Sequence, residues 1–389
     1  MGSNLLAASS QWASRPADER FWTVRDMRIA CETFRAGCGH ATVPLASLTA
    51  AADGNAIVLT GPTGRPADLT HYAFGQLART VGAPAEYLRE LPVETAVSCL
   101  NVGLKKTAAA GRSDRDLLFH QNGRLSIRAM LSEQYERVWN SDVCAVLERL
   151  EGAGYRVPAG RTPPGYTGKS RPATAADILP GQINIAVGDS IAPAGLYASD
   201  HDMFGFLCSA DRTVSDGGVS ALMRGFFVRN SEVGDSSLVF TFFLMDAVCG
   251  NHIVWNARGV HEIRVRHVGR DPMRKAVRQF EAQLRVYMDG AADDDRRMVA
   301  AARNMVLGTS KTEVLDAIVK YAKTHSLPLS RARVDSAYDV ACEHEDWYGN
   351  PRSLWGVVSG LTHASQSGYT EDRDTTDRAA GALLKMVDF

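Results

Sequence analysis

The sequence lacks most signatures that would name a chemistry. Its 389 residues hold no run of about 18 apolar residues, so no membrane span is expected. There is no G-x-x-x-x-G-K-S/T phosphate loop and no G-x-G-x-x-G turn. There is no H-E-x-x-H pair and no G-x-S-x-G elbow. No catalytic residue, cofactor site or metal site is therefore assigned, and a non-enzymatic protein is expected. The start, MGSNLLAASSQWASRPADER, has neither the basic head nor the apolar core of a signal peptide. Charge of one sign is missing too: 43 Lys+Arg stand against 44 Asp+Glu, a net charge of −1. Nucleic-acid binding would then need a local basic patch. Hydrophobic residues at 45% and charged residues at 22% exclude wholesale disorder.

A disulfide framework is also missing. The seven cysteines are Cys31, Cys38, Cys99, Cys144, Cys208, Cys249 and Cys342. Their odd number and wide spacing fit reduced, buried thiols in the cytoplasm. Cys31, Cys38 and His40 lack the second ligand pair of a zinc site.

Periodicity divides the chain into three. Residues 1–115 read as mixed strands and helices. FWTVRDMRIA and ATVPLASLTAAADGNAIVLTG suggest short extended pieces broken at Asp53-Gly54. HYAFGQLARTVG, APAEYLRELP and VETAVSCLNVGLKK then read as helices, with Phe74, Leu77, Ala78 and Val81 on one stripe. The first two have a helix-turn-helix outline, but Glu86 and Glu90 beside Arg89 favour a hairpin packed in a core. Residues 116–290 read as an antiparallel sheet core, opened by a hairpin turning at Asn122-Gly123. Within it, 151–180 is a Gly/Pro-rich loop of a length that usually carries function. Residues 291–389 read as helices. The fold class expected is α+β, an antiparallel sheet flanked by N-terminal and C-terminal helical segments.

The informative feature is a basic run on the strand–helix junction 258–285. Eight basic residues stand there against three acids, a balance of +5. In IRVRH, Arg264 and Arg266 share a strand face. On the following helix, Arg270 or Arg274 aligns with Arg278, with Lys275 beside them. Strand and helix cations are expected to form one continuous stripe for a phosphate backbone. Lys169 and Arg171 in the long loop would close over the strand. Trp255 and Phe227 are the expected base-stacking residues. A competing reading makes His201-Asp202, or His344 with its acidic neighbours, part of a metal-dependent nuclease. Consecutive helical residues diverge, so CEHED cannot aim three ligands at one point. A third reading sets the basic stripe against an acidic protein of the host.

An ordered set of segments resembles one family. YAFGQLARTVGAPAEYLRELP, CLNVGLKK, RAMLSEQYERVWNSDV, AVCGN, HEIRVRHVG and LWGVVSGLTH are similar to phage/plasmid-like proteins. These carry a domain of unknown function, number nine hundred and thirty-two. The resemblance covers about residues 70–370, with SGLTH where an Asn-Ala-Val-Thr-like stretch is commoner. It implies phages, prophages and plasmids as the setting, the bacterial host cytoplasm as the location, and no catalytic mechanism. Binding or annealing of single-stranded DNA by a homo-oligomer, in recombination or replication, is the role expected there.

Overall fold

The computed structural model describes residues 17–111, 114–158, 160–162, 166–179, 185–214, 222–246, 252–253, 262–289, 292–365 and 370–387. Strand β1 (Arg20–Phe21) leads into helix α1 (Val24–Ala36). This is the first departure from expectation, because FWTVRDMRIA reads as extended. Thr23 accepts a hydrogen bond from the Asp26 amide, and Val24, Met27 and Cys31 then line one buried face. An N-cap and a three-to-four spacing override the β-branched residues.

The N-terminal sheet follows. It comprises β2 (Cys38–Val43), β3 (Thr49–Asp53), β4 (Ala56–Thr60) and β5 (Pro66–Leu69), then β6 (Arg115–Asn122) and β7 (Arg124–Ser132). Helices α2 (His71–Thr80), α3 (Ala85–Glu90) and α4 (Val93–Ala109) are inserted before β6. The strand order is β2-β6-β7-β5-β4-β3, antiparallel except for the β5–β7 pair. Leu77, Leu88, Leu100 and Leu104 of the helices bury against Leu59, Leu117 and Ile127 of the sheet. The helix-turn-helix outline is thus a core hairpin. Arg89 lies over the Phe74 ring and donates to the His71 carbonyl at 3.0 Å. On edge strand β3, the Asn101 side chain accepts from the Ala50 amide at 2.8 Å and donates to its carbonyl at 2.9 Å. It closes that edge as another strand would.

The hairpin at Asn122-Gly123 forms, with Gly123 at φ 72°. It belongs to this N-terminal sheet, so the expected boundary at 115/116 is misplaced. Local turn chemistry specifies a hairpin but not the sheet it joins. β5 recruits it through a parallel pair that no short-range signal announces.

Helix α5 (Asn140–Glu151) precedes the second sheet. The loop 151–180 carries β8 (Tyr155–Arg156), β9 (Gly160–Arg161) and β10 (Arg171–Pro172), with a short 3-10 turn at Ala175–Asp177. β11 (Ser190–Ala192) joins β9 and β10 in a small three-stranded sheet. β12 (Leu196–Ala198), β13 (Met203–Val214), β14 (Leu222–Asn230), β15 (Leu238–Asp246), β16 (His252–Ile253) and β17 (Glu262–Val265) complete the central, antiparallel sheet. The two faces of that sheet bury separate cores. Phe226, Val228, Phe240 and Phe242 pack under α1, α5 and α6 (Pro272–Asp289), while Met223, Phe227 and Phe243 face Leu179.

Among the described residues, six helices follow α6. They are α7 (Ala292–Asn304), α8 (Lys311–Thr324), α9 (Arg331–Glu343), α10 (Glu345–Tyr348), α11 (Leu354–Ser365) and α12 (Thr370–Leu383). Their core reaches the central sheet through Leu222 and Leu244. The protein is α+β, with antiparallel sheets between helical segments, as its sequence suggests. No described helix is long and apolar enough to cross a membrane. Of the six described cysteines, Cys31, Cys144 and Cys208 are buried, Cys38 is partly buried, and Cys99 and Cys342 are exposed.

Candidate nucleic-acid interface

Alternation builds the strand half of the basic junction. Ile263, Val265 and His267 are buried, while Arg264 and Arg266 are exposed. The chain turns through Gly269 (φ 80°) and Asp271 (φ 53°) into α6. That turn is anchored from below. The Tyr135 hydroxyl hydrogen-bonds His267 Nδ1 and donates to the Ser231 carbonyl at 3.1 Å, and the Glu136 amide donates to the His267 carbonyl at 2.9 Å. The His267 Nε2 is buried and has no hydrogen-bond partner among the described residues. Burial, then the nearby Arg137 guanidinium, pushes the His267 imidazole down to about 4.

The helix half follows from a 3.6-residue period. Ala276, Phe280, Leu284 and Tyr287 point into the core under the sheet. At 100° per residue, Arg274, Arg278 and Arg285 fall on one line directly opposite, with Lys275 to one side. All four are exposed, as is Arg270 in the turn. Arg274 pairs with Asp271 at 3.0 Å, and Arg264 with Glu262 at 2.8 Å. Glu262 is shared with Arg378 of α12, and these arginines hold its carboxyl low against the opposing effect of burial. Among the described residues, Arg266, Arg270, Lys275, Arg278 and Arg285 make no ion pair, which leaves a concentrated positive surface. Arg285 extends the predicted set. Its spacing from Arg274 and Arg278, eleven and seven residues, is the signal that places it on their line.

Two expectations fail on geometry. Strand and helix cations do not make one stripe. Ile263 and Val265 share their core with Phe280 and Leu284, so the arginines that alternate with them leave from the sheet face opposite α6. The phenylalanines are no stacking platform. Phe227 is buried against Phe206 and Phe243, with centroids 5.4 and 6.4 Å away. Phe240 stacks on Phe280 at 4.1 Å, and Phe226 meets the same ring edge-to-face at 4.8 Å. An alternating aromatic run satisfies both faces of a covered sheet before it can offer a ring to a ligand. Trp255 lies outside the described residues.

The long-loop cations divide. Lys169 is exposed and makes no ion pair among the described residues. Arg171 is already occupied. Its guanidinium forms two hydrogen bonds to Asp177, at 2.6 and 2.5 Å, and lies over the Trp22 ring at 4.5 Å. It braces the loop and is not poised to close over a strand.

The residues of the nuclease reading are engaged locally. His201 Nδ1 meets Asp200 at 2.7 Å, its Nε2 meets Asp202 at 3.3 Å, and its ring stacks on Tyr72 at 4.7 Å. Asp202 also accepts from Ser199 at 2.6 Å and from the Tyr197 hydroxyl. His344 stacks between Trp347 and His363, each 4.6 Å away. Among the described residues no group of three or more His, Cys, Asp or Glu is arranged to hold a metal ion. No family model, curated protein or solved structure matches the chain, so the reading of this surface rests on its own chemistry.

Proposed function

We propose that the chain binds nucleic acid, single-stranded DNA first, along the outer face of α6. The observation that carries this is the line Arg274, Arg278 and Arg285 with Lys275 and Arg270 beside it, all exposed on one helix and its leading turn. The line is about 16 Å long at 1.5 Å per residue and is broken only by Glu281. A rod of cations held by a buried helix face suits an extended phosphate backbone, whose neutralisation releases counterions. Exposed Val268 and Val286 near its two ends offer apolar surface to unstacked bases. The ordered resemblance of residues 70–370 to phage/plasmid-like proteins supports recombination or replication in a bacterial host, with annealing by a homo-oligomer as the natural form.

The test is fluorescence anisotropy with a labelled oligonucleotide across a salt series. Arg270→Gln/Arg274→Gln/Arg278→Gln should weaken binding at least tenfold. It should also lower the salt slope by roughly 2, at about 0.7 per lost single-strand phosphate contact. Equal affinity and slope for wild type and variant would overturn the proposal. Strand preference is read from the same assay with duplex competitor.

A further inference from the structure

A cavity of about 260 Å³ lies away from the basic helix, between the end of β1, the end of α5, β8 and the 3-10 turn. Its walls are unusually complete chemically. Trp22 and Tyr155 line it; Trp22 packs on the Ala173, Ile185 and Ile191 cluster, and the Tyr155 ring meets Phe226 edge-to-face at 5.7 Å. One Trp22 contact is fixed, because Arg171 lies over the ring and is itself held by Asp177. Asp177 is further bonded by the Thr174 amide at 2.8 Å and hydroxyl at 2.7 Å. This wall is therefore rigid and close to neutral. Two charges remain. Arg156 is exposed at the rim and makes no side-chain hydrogen bond or ion pair among the described residues. Glu151, half-buried, lines the same cavity; burial pushes its carboxyl up, and one hydrogen bond from the Val24 amide works against that.

We propose that this cavity binds a single nucleotide. The base lies against Trp22 and Tyr155, the phosphate meets Arg156, and an exocyclic amino group donates to Glu151. An aromatic wall, one cation at the mouth and one acceptor further in match the three parts of a nucleotide in kind and number. The volume suits one such unit and not a dinucleotide. Nothing here depends on α6, so the pocket stands or falls apart from the DNA-binding surface.

Calorimetric titration of the full chain with AMP, CMP, GMP and UMP, and with adenosine, tests this. AMP should exceed adenosine by about tenfold, the worth of one charge-assisted phosphate contact. Arg156→Gln should reduce that ratio to near one while adenosine affinity stays unchanged. No binding of any nucleotide at 5 mM would overturn the proposal, as would a phosphate advantage that survives Arg156→Gln. Binding of free tryptophan in place of nucleotides would overturn it too, since a zwitterion meets the same two charges. Circular dichroism of Arg156→Gln, expected unchanged for an exposed position, separates lost binding from lost folding.

Discussion

His267 lies in sequence between the exposed Arg266 and Arg270 and takes the opposite side. Arg266 is exposed, while His267 is 4% exposed and holds the turn to Tyr135. Its imidazole is kept neutral because charging it would bury a cation near Arg137. A histidine depressed from 6.5 to about 4 contributes stability that is fully present above pH 6.5. That contribution falls away as pH drops through 6.5 towards 4, by roughly 3 kcal/mol in total. Urea midpoints measured between pH 4 and 7 should show this slope, and His267→Gln should flatten it. A variant whose slope matches wild type would assign the acid sensitivity elsewhere. The strand pattern Arg-Val-Arg-His shows which side each residue takes. It does not show that the buried histidine would meet Tyr135, 132 positions earlier.

Elements carry their information in small residues as much as in apolar stripes. Gly356 and Gly360 are four apart on α11, so both lie on one side of that helix. A Cβ added at Gly360 would overlap the Ala337 carbonyl oxygen of α9 and approach Ala341 Cβ to 3.3 Å. Glycine therefore sets how closely α9 and α11 cross in the C-terminal core. Gly360→Ala should cost about 1–3 kcal/mol through overpacking against backbone that cannot rotate away. Thermal unfolding should show the loss, and Gly82→Ala would not report on this contact. The basic helix is the contrasting case. Its outward basic face is legible from spacing alone, because a helix anchored by Ala276, Phe280 and Leu284 has only one side left for solvent.

At the scale of the molecule, the N-terminal sheet and the central sheet are joined by a buried polar latch. Arg128 of β7 pairs with Glu232 of the β14–β15 loop at 3.0 Å, their side chains 2% and 4% exposed. Glu232 also accepts from the Asn140 amide at 2.8 Å, and Arg137 bridges Asp116 at 2.9 Å to the Glu232 carbonyl. Gln76 donates to the Val233 carbonyl at 2.6 Å from the same side. Removing one partner strands a charge in this layer. Arg128→Ala or Glu232→Ala should each destabilise by about 3–5 kcal/mol, measured by denaturant unfolding. The joint replacement Arg128→Met/Glu232→Leu should recover much of that loss, because burying no charge costs less than burying one alone. If the double variant is as unstable as the sum of the singles, the pair is not the latch.

The sequence by itself determined the fold class, the Asn122-Gly123 hairpin, the helices beginning near His71, Val93 and Pro272, and the outward line of cations on α6. Each of these depends on neighbours within a few positions, where periodicity and turn chemistry act. Tertiary structure decided which sheet the hairpin joined, that α1 was a helix, and that Arg264 and Arg266 face away from the α6 arginines. It also buried Phe227 and occupied Arg171. Those outcomes depend on which surfaces meet, and a strand's alternation specifies two faces without saying which one the next helix will cover.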